Sequence, residues 1–126
     1  MKKIINSPKA PAPIGPYSQA VKVGNTLYLS GQIAINAATG EMVDDSIKNE
    51  TKQVMENIGH VLEAASMDFT NLFKCSIFLK DMDNFSAVNE VYGSYFSSDF
   101  PARECVQVAK LPKDVNVEIT ALAADK

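Results

Sequence analysis

The chain has 126 residues, of which 46% are hydrophobic and 21% charged, and its formal net charge is −3. This length and composition predict one globular domain over residues 1–126, which can bury a core without disulfides or metals. The scattered cations and the acidic pI near 5.1 argue against nucleic-acid binding. We expect a cytoplasmic protein, because the chain shows no membrane-length apolar run, no signal-peptide pattern and no disulfide spacing of its two cysteines.

The hydrophobic pattern predicts seven elements in the order β-β-α-β-α-β-β, with room for a short strand over residues 3–6. Four prolines between residues 8 and 16 predict an ordered but irregular arm over residues 7–19. A Gly24-Asn25 turn then predicts a hairpin. The expected elements are strands 20–23 and 26–33, helix 46–65, strand 73–79, helix 83–96, and strands 102–109 and 115–124. Asp44, Asp45 and Ser46 are the N-cap candidates of the first helix.

Two helices cannot cover both faces of such a sheet, so we expect an α+β fold with both helices on one face. Period-two alternation assigns side chains to the two faces. Those expected toward the helices are Leu27, Leu29, Ile33, Phe73, Cys75, Ile77, Leu79, Val106, Val108, Val117 and Ile119. Those expected on the bare face are Tyr28, Ser30, Gln32, Phe78, Arg103, Cys105, Gln107, Glu118 and Leu122. This mixed bare face predicts an oligomer interface.

Arg103, Cys105 and Glu118 are thus expected on one side of adjacent strands. Arginine offers a planar fork to a carboxylate, and glutamate can orient water or move a proton, so the group suits hydrolysis of a small acidic substrate. The same spacing also fits a cross-strand ion pair between Arg103 and Glu118. Cys105 fits a small buried hydrophobe as well as a nucleophile, since His60, the only histidine, lies on the presumed outer helix face. Tyr17 fits a staple that holds the arm down.

Four motifs in register resemble the RidA family, also called YjgF/YER057c/UK114. Residues 101–119 read PARECVQVAKLPKDVNVEI and resemble the family's C-terminal signature. Residues 12–20 read APIGPYSQA and resemble its N-terminal motif. The stretches LSGQI at 29–33 and VNEVY at 88–92 match two further family segments. The order and spacing of the four agree across nearly the whole chain.

The resemblance implies a chorismate-mutase-like homotrimer with pockets between subunits. It also implies a deaminase that hydrolyses 2-imino acids, such as 2-iminobutyrate and 2-iminopropionate, without a cofactor or a metal. Arg103 would then bind the substrate carboxylate, the Cys105 backbone would receive the imine nitrogen, and Glu118 would position the attacking water. The other pocket residues it implies are Tyr17, Ser30, Gly31, Phe85 and Asn89.

One position departs from the family pattern, which usually has a small residue where this chain has Glu104. Period two directs Glu104 toward the helices, where a buried carboxylate needs a partner, so we expect either an exposed strand end or a pairing with a lysine. Two other functions remain open. One is a non-catalytic trimer that binds a small carboxylate, because fold alone does not fix function. The other is RNA cleavage, against which the acidic pI and the lack of a histidine pair argue.

Overall fold

Six strands form one mixed sheet in the computed structural model, which describes all 126 residues. The strands are β1 (Lys2–Ile5), β2 (Ala20–Val23), β3 (Thr26–Gln32), β4 (Leu72–Leu79), β5 (Ala102–Gln107) and β6 (Val117–Ala124). The helices are α1 (Ile47–Ala64) and α2 (Phe85–Gly93). In space the strand order is β1-β2-β3-β6-β4-β5, and only β4 and β5 run parallel. The predicted α+β fold, with both helices on one face, is confirmed.

Helix α1 supplies most of the helical half of the core. Ser46 is its N-cap, and the side chain accepts a hydrogen bond from the Asn49 N–H at 3.1 Å, which satisfies one free donor of the first turn. The apolar stripe then buries Met55, Ile58 and Leu62 completely against the sheet. Helix α2 is shorter than predicted at both ends, because a separate 3₁₀ turn (Met82–Asn84) precedes it and the helix ends at Gly93.

We call the side of the sheet against which the helices pack the helix face, and the other side the open face. On β6 the predicted alternation is confirmed. Val117, Ile119, Ala121 and Ala123 are buried on the helix face, whereas Glu118 and Leu122 lie on the open face. The register places Phe78 of β4 beside Glu118, also on the open face.

The face assignment of β5 is wrong. Its register with β4 sets Arg103 beside the buried Cys75, and Cys105 beside the buried Ile77, so both side chains lie on the helix face. Val106 lies instead on the open face beside Phe78. The strand forms the free edge of the sheet, and five of its six residues are exposed, so its sequence carries no clear apolar alternation.

Two β-bulges change the alternation elsewhere. A bulge in β3 between Leu29 and Gln32 leaves Gln32 buried beside Ile119, and Ile33 packs in a separate small cluster with Leu111. A bulge in β4 between Leu72 and Lys74 buries Leu72 and leaves Phe73 exposed. The predicted outward position of Gln32 and the inward positions of Ile33 and Phe73 are therefore wrong, because each bulge inserts a residue that breaks the period of two.

The open face carries apolar side chains that no element of the chain covers. Tyr28 is 49% exposed and Val106 is 43% exposed, and Phe78 and Leu122 lie between them in the sheet, partly exposed. No helix combines the length and apolarity needed to cross a bilayer.

Candidate active site

The eight residues predicted to form the site divide into two groups on the chain. The arginine group consists of Phe85, Asn89, Arg103 and Cys105. The glutamate group consists of Tyr17, Ser30, Gly31 and Glu118. Strand β4 separates β5 from β6, and Arg103 and Glu118 point to opposite faces of the sheet. The expectation that they lie on one side of adjacent strands is wrong, and so is the alternative of a cross-strand ion pair between them, since neither residue takes part in a salt bridge.

Helix α2 and the start of β5 build the arginine group. The Nη1 of Arg103 donates a hydrogen bond to Asn89 Oδ1 at 2.6 Å. The guanidinium carbon lies 5.6 Å from the ring centroid of Phe85 and 5.2 Å from that of Tyr92, within cation–π range. A cavity of about 490 Å³ is lined by Asn89, Tyr92, Pro101 and Arg103. The other guanidinium N–H groups have no acceptor within the chain, so the fork is available to an anionic ligand.

The Cys105 side chain is a half-buried part of the apolar packing. It contacts the main core, and its thiol is free. Burial raises the pKa of the Cys105 thiol, against the opposing influence of Arg103, so the thiol stays protonated at neutral pH. Because the thiolate is the nucleophilic form, this favours the interpretation of Cys105 as a small hydrophobe.

Gly31 and Glu118 lie in direct contact in the glutamate group. A Cβ atom on Gly31 would lie 2.7 Å from Glu118 Oε2 and 2.9 Å from its Cδ, so a larger residue at this position would displace the Glu118 carboxyl. Glu118 forms no ion pair, and its partial burial raises the pKa of the carboxyl above the ordinary value of 4.5. Such a carboxyl is suited to accept and return protons nearer to neutral pH.

Tyr17 and Ser30 line a cavity of about 330 Å³ together with Gly31 and Glu118. Tyr17 comes from the arm, and its hydroxyl accepts a hydrogen bond from the Ile14 N–H at 3.3 Å. The hydroxyl of Ser30 donates to the Ser18 carbonyl at 2.6 Å, which ties the arm to β3. Tyr17 therefore lines the cavity, and because its hydrogen bond lies within the arm, its role as a staple of the arm stays a prediction.

Gln19 holds the arm, a role that the sequence pattern did not indicate. Its buried side chain accepts from the Ser7 N–H at 2.6 Å and donates to the carbonyls of Ser7, Ala10 and Pro11. Proline has no backbone N–H, so a proline-rich segment has more hydrogen-bond acceptors than donors. An amide side chain close to it in the sequence can supply the missing donors, and this is the one signal in the sequence that could have indicated the role of Gln19. Gln19 thereby fixes the position of Tyr17, two residues away.

Glu50 of α1 is a second residue that sequence reasoning missed. Its fully buried carboxylate accepts from the backbone N–H of Asn116 at 2.8 Å, from the Asn116 side-chain amide at 2.8 Å, and from the Val117 N–H at 3.2 Å. These bonds satisfy the buried oxygens and fix the start of β6, directly before Glu118. An acidic residue beside the apolar stripe of α1 was the only signal in the sequence.

Glu104 lies on the open face, so its predicted direction toward the helices is wrong. It forms an ion pair with Lys74 and accepts a hydrogen bond from the Ser76 hydroxyl. Both interactions lower the pKa of the Glu104 carboxyl, and the bond from Lys74 has the larger effect. The alternative of a lysine partner is confirmed.

His60 lies apart from both groups, in a groove with Lys9, Gln53 and Glu56. No group of three or more His, Cys, Asp or Glu side chains is arranged to hold a metal ion.

Comparison with known families identifies the chain's relatives. Residues 7–125 match the family model described as endoribonuclease L-PSP. The chain belongs to this family. It is the RidA/YjgF family whose motifs the sequence resembles, so that prediction is confirmed.

Individual relatives of this family are similar to the chain along nearly its whole length. A Capra hircus protein named 2-iminobutanoate/2-iminopropanoate deaminase is 52% identical over 123 residues, which cover 98% of this chain and 90% of the relative. A solved structure of a putative endoribonuclease from Thermotoga maritima has a TM-score of 0.97 and 46% identity, covering 100% of this chain and 99% of that one. The structure of E. coli TdcF with bound serine has a TM-score of 0.94 and 38% identity, covering 98% and 99%.

Proposed function

We propose that this RidA-family protein is a deaminase that hydrolyses 2-imino acids to 2-keto acids and ammonia, as the name of its Capra hircus relative describes for that protein. The observation that carries the proposal is the Arg103 guanidinium, restrained by Asn89 and exposed at a cavity with unused N–H donors. A restrained fork of this kind fits the carboxylate that every 2-imino acid carries. The serine bound to TdcF is another small carboxylate ligand.

Hydrolysis of the imine needs a water molecule, a proton route and no covalent nucleophile. Water adds to the imine carbon, and the C=N double bond becomes a C–N single bond. A proton then moves from the added oxygen to nitrogen, ammonia leaves, and the carbonyl forms. Glu118 positions the water and accepts and returns the proton, for which its raised pKa is favourable. The Cys105 thiol takes no part in the reaction. The backbone of Cys105 faces the imine nitrogen.

Two copies of the chain complete the site. The arginine group lies at the free edge β5 on the helix face, and the glutamate group lies across the sheet, so one copy cannot bring both to one substrate. A second copy that covers the open face with its β5 edge joins the two groups and buries Tyr28 and Val106. This contact is heterologous, and a closed ring of three copies satisfies it. We infer a homotrimer in the cytoplasm, where both free thiols remain reduced.

RNA cleavage is the alternative that the family description suggests. The net charge of −3 and the single histidine, in a groove apart from both groups, argue against binding and acid–base cleavage of RNA. A non-catalytic trimer that binds a small carboxylate would use Arg103 equally well. It would leave the raised pKa of Glu118 and the close Gly31–Glu118 contact without a role.

A coupled assay tests the proposal. Threonine dehydratase generates 2-iminobutyrate, and semicarbazide traps the surviving imine as a chromophore. Wild type should suppress the trapped signal, and Arg103→Ala should not. The Glu104→Ser variant is the matched control, because Glu104 is adjacent in sequence but lies on the opposite face. An inactive, folded wild type that still binds 2-ketobutyrate would favour the binding trimer.

A further inference from the structure

Tyr92 of α2 lies beneath the guanidinium of Arg103 and is more than a core residue. Its side chain is 4% exposed, and its ring centroid is 5.2 Å from the guanidinium carbon. The hydroxyl is buried and has no hydrogen-bond partner in the chain. It faces the Cys75 thiol, and Cys75 is the residue directly beside Arg103 in the β4–β5 register. Burial, with a smaller influence from Cys75, raises the pKa of the Tyr92 phenol well above its ordinary range, so the phenol is neutral.

A role limited to core packing does not account for this arrangement. The face of the Tyr92 ring supports the guanidinium of Arg103. Arg103 itself is exposed, and a long exposed side chain loses rotamer freedom when it binds a ligand.

We propose that Tyr92 is a positioning residue, which with Phe85 and Asn89 holds the Arg103 guanidinium in the plane that receives the substrate carboxylate. The two rings restrict the plane of the fork, and Asn89 fixes its rotation by the hydrogen bond to Nη1. Substrate then binds an arginine that is already ordered, which improves binding without changing the chemical step. The inference rests on the proposed function for its kinetic consequence only, since the ordering of Arg103 exists without substrate.

The first test needs no activity. Arg103 is the only arginine in the chain, so an isotopically labelled sample gives a single side-chain Nε–Hε signal in NMR. The ring of Tyr92 should shift this signal by its ring current. Tyr92→Leu should move the signal toward the position of a free arginine, and Tyr92→Phe, which keeps the ring, should nearly preserve it. If Tyr92→Leu does not fold, Tyr92→Met fills the core with a flexible side chain and makes the same prediction.

The second test is kinetic, with Tyr95→Leu as the matched control. Tyr95 belongs to the same aromatic cluster through Phe69, and its hydroxyl bonds Glu56, but it does not contact Arg103. Tyr92→Leu should raise KM about three- to fivefold with kcat little changed, which is the fold-change a lost cation–π contact gives. Tyr92→Phe should have a KM close to that of wild type, and Tyr95→Leu should change neither KM nor the position of the Arg103 signal.

The outcomes separate this inference from the proposed function. An unmoved Arg103 signal in Tyr92→Leu would overturn it, as would equal effects of Tyr92→Leu and Tyr95→Leu on KM. An inactive wild type in which Tyr92→Leu still moves the Arg103 signal would refute the deaminase and leave the positioning of Arg103 supported.

Discussion

Replacing Gly31 with alanine should disable Glu118 with little damage to the fold. The new Cβ would lie 2.7 Å from Glu118 Oε2, whereas carbon and its non-bonded neighbours pack at roughly 3.5 Å, so the carboxylate must move by roughly 0.5–1 Å. The φ angle of Gly31 is not positive, so alanine fits the backbone. The neighbour that moves is the end of a flexible side chain, so we expect about 1 kcal/mol of destabilisation, at the low end for overpacking. A displacement of this size should lower kcat/KM about 30- to 100-fold.

Steady-state kinetics of Gly31→Ala, alone and combined with Glu118→Gln, measure this effect. If the alanine acts through the carboxylate, it should add little to the loss already caused by Glu118→Gln. Gly59→Ala is the control, because a Cβ there would lie 3.1 Å from the partly buried Phe69, apart from the glutamate group. It should change kcat/KM less than about twofold. Full activity of Gly31→Ala, or losses that add in the double variant, would refute the reasoning.

Three further predictions concern the supports of the site. Gln19→Ala removes the buried hydrogen bonds that hold the arm, so the free energy of unfolding measured in urea should fall by about 2–3 kcal/mol. An unchanged urea midpoint would contradict the role assigned to Gln19. Because its pKa is raised, folded Glu118 binds its proton more tightly than the unfolded chain does, so ionisation lowers stability as pH rises above 4.5. Glu118→Gln should therefore gain stability relative to wild type as pH rises above about 4.5, and a pH-independent difference would exclude this cause. Glu104→Ser removes an exposed ion pair on the face opposite Arg103. The free energy of unfolding should therefore change by less than about 1 kcal/mol, and kcat/KM by less than about twofold. A large loss of activity would show that the two faces are coupled.

The sequence predicted the elements well because their signals are local. Ser46 and the stripe through Met55 and Ile58 define α1 by capping and by period, and the turn at Gly24 defines the first hairpin. Strand β6 alternates regularly because one of its faces is fully buried. In each case the residues that determine the structure are neighbours in the chain.

The site could be predicted only in part, because its geometry depends on non-local pairing. Nothing near Arg103 in the sequence indicates that β5 pairs with β4 rather than β6, and that pairing decides which face the arginine occupies. The bulge that sets Gly31 against Glu118 also has no local signal apart from the glycine itself. The motifs identified which residues belong to the site, but not their division into two groups.

Subunit complementation tests the central claim most directly, namely that the deaminase site joins Arg103 of one copy to Glu118 of another. Arg103→Ala and Glu118→Gln should each be inactive alone. When the two are unfolded together in equal amounts and refolded, random assembly should leave about a quarter of the sites with both native residues, and deaminase activity should return to about that fraction of wild type. Activity that stays at the level of the single variants, in mixed oligomers shown to have formed, would contradict the account.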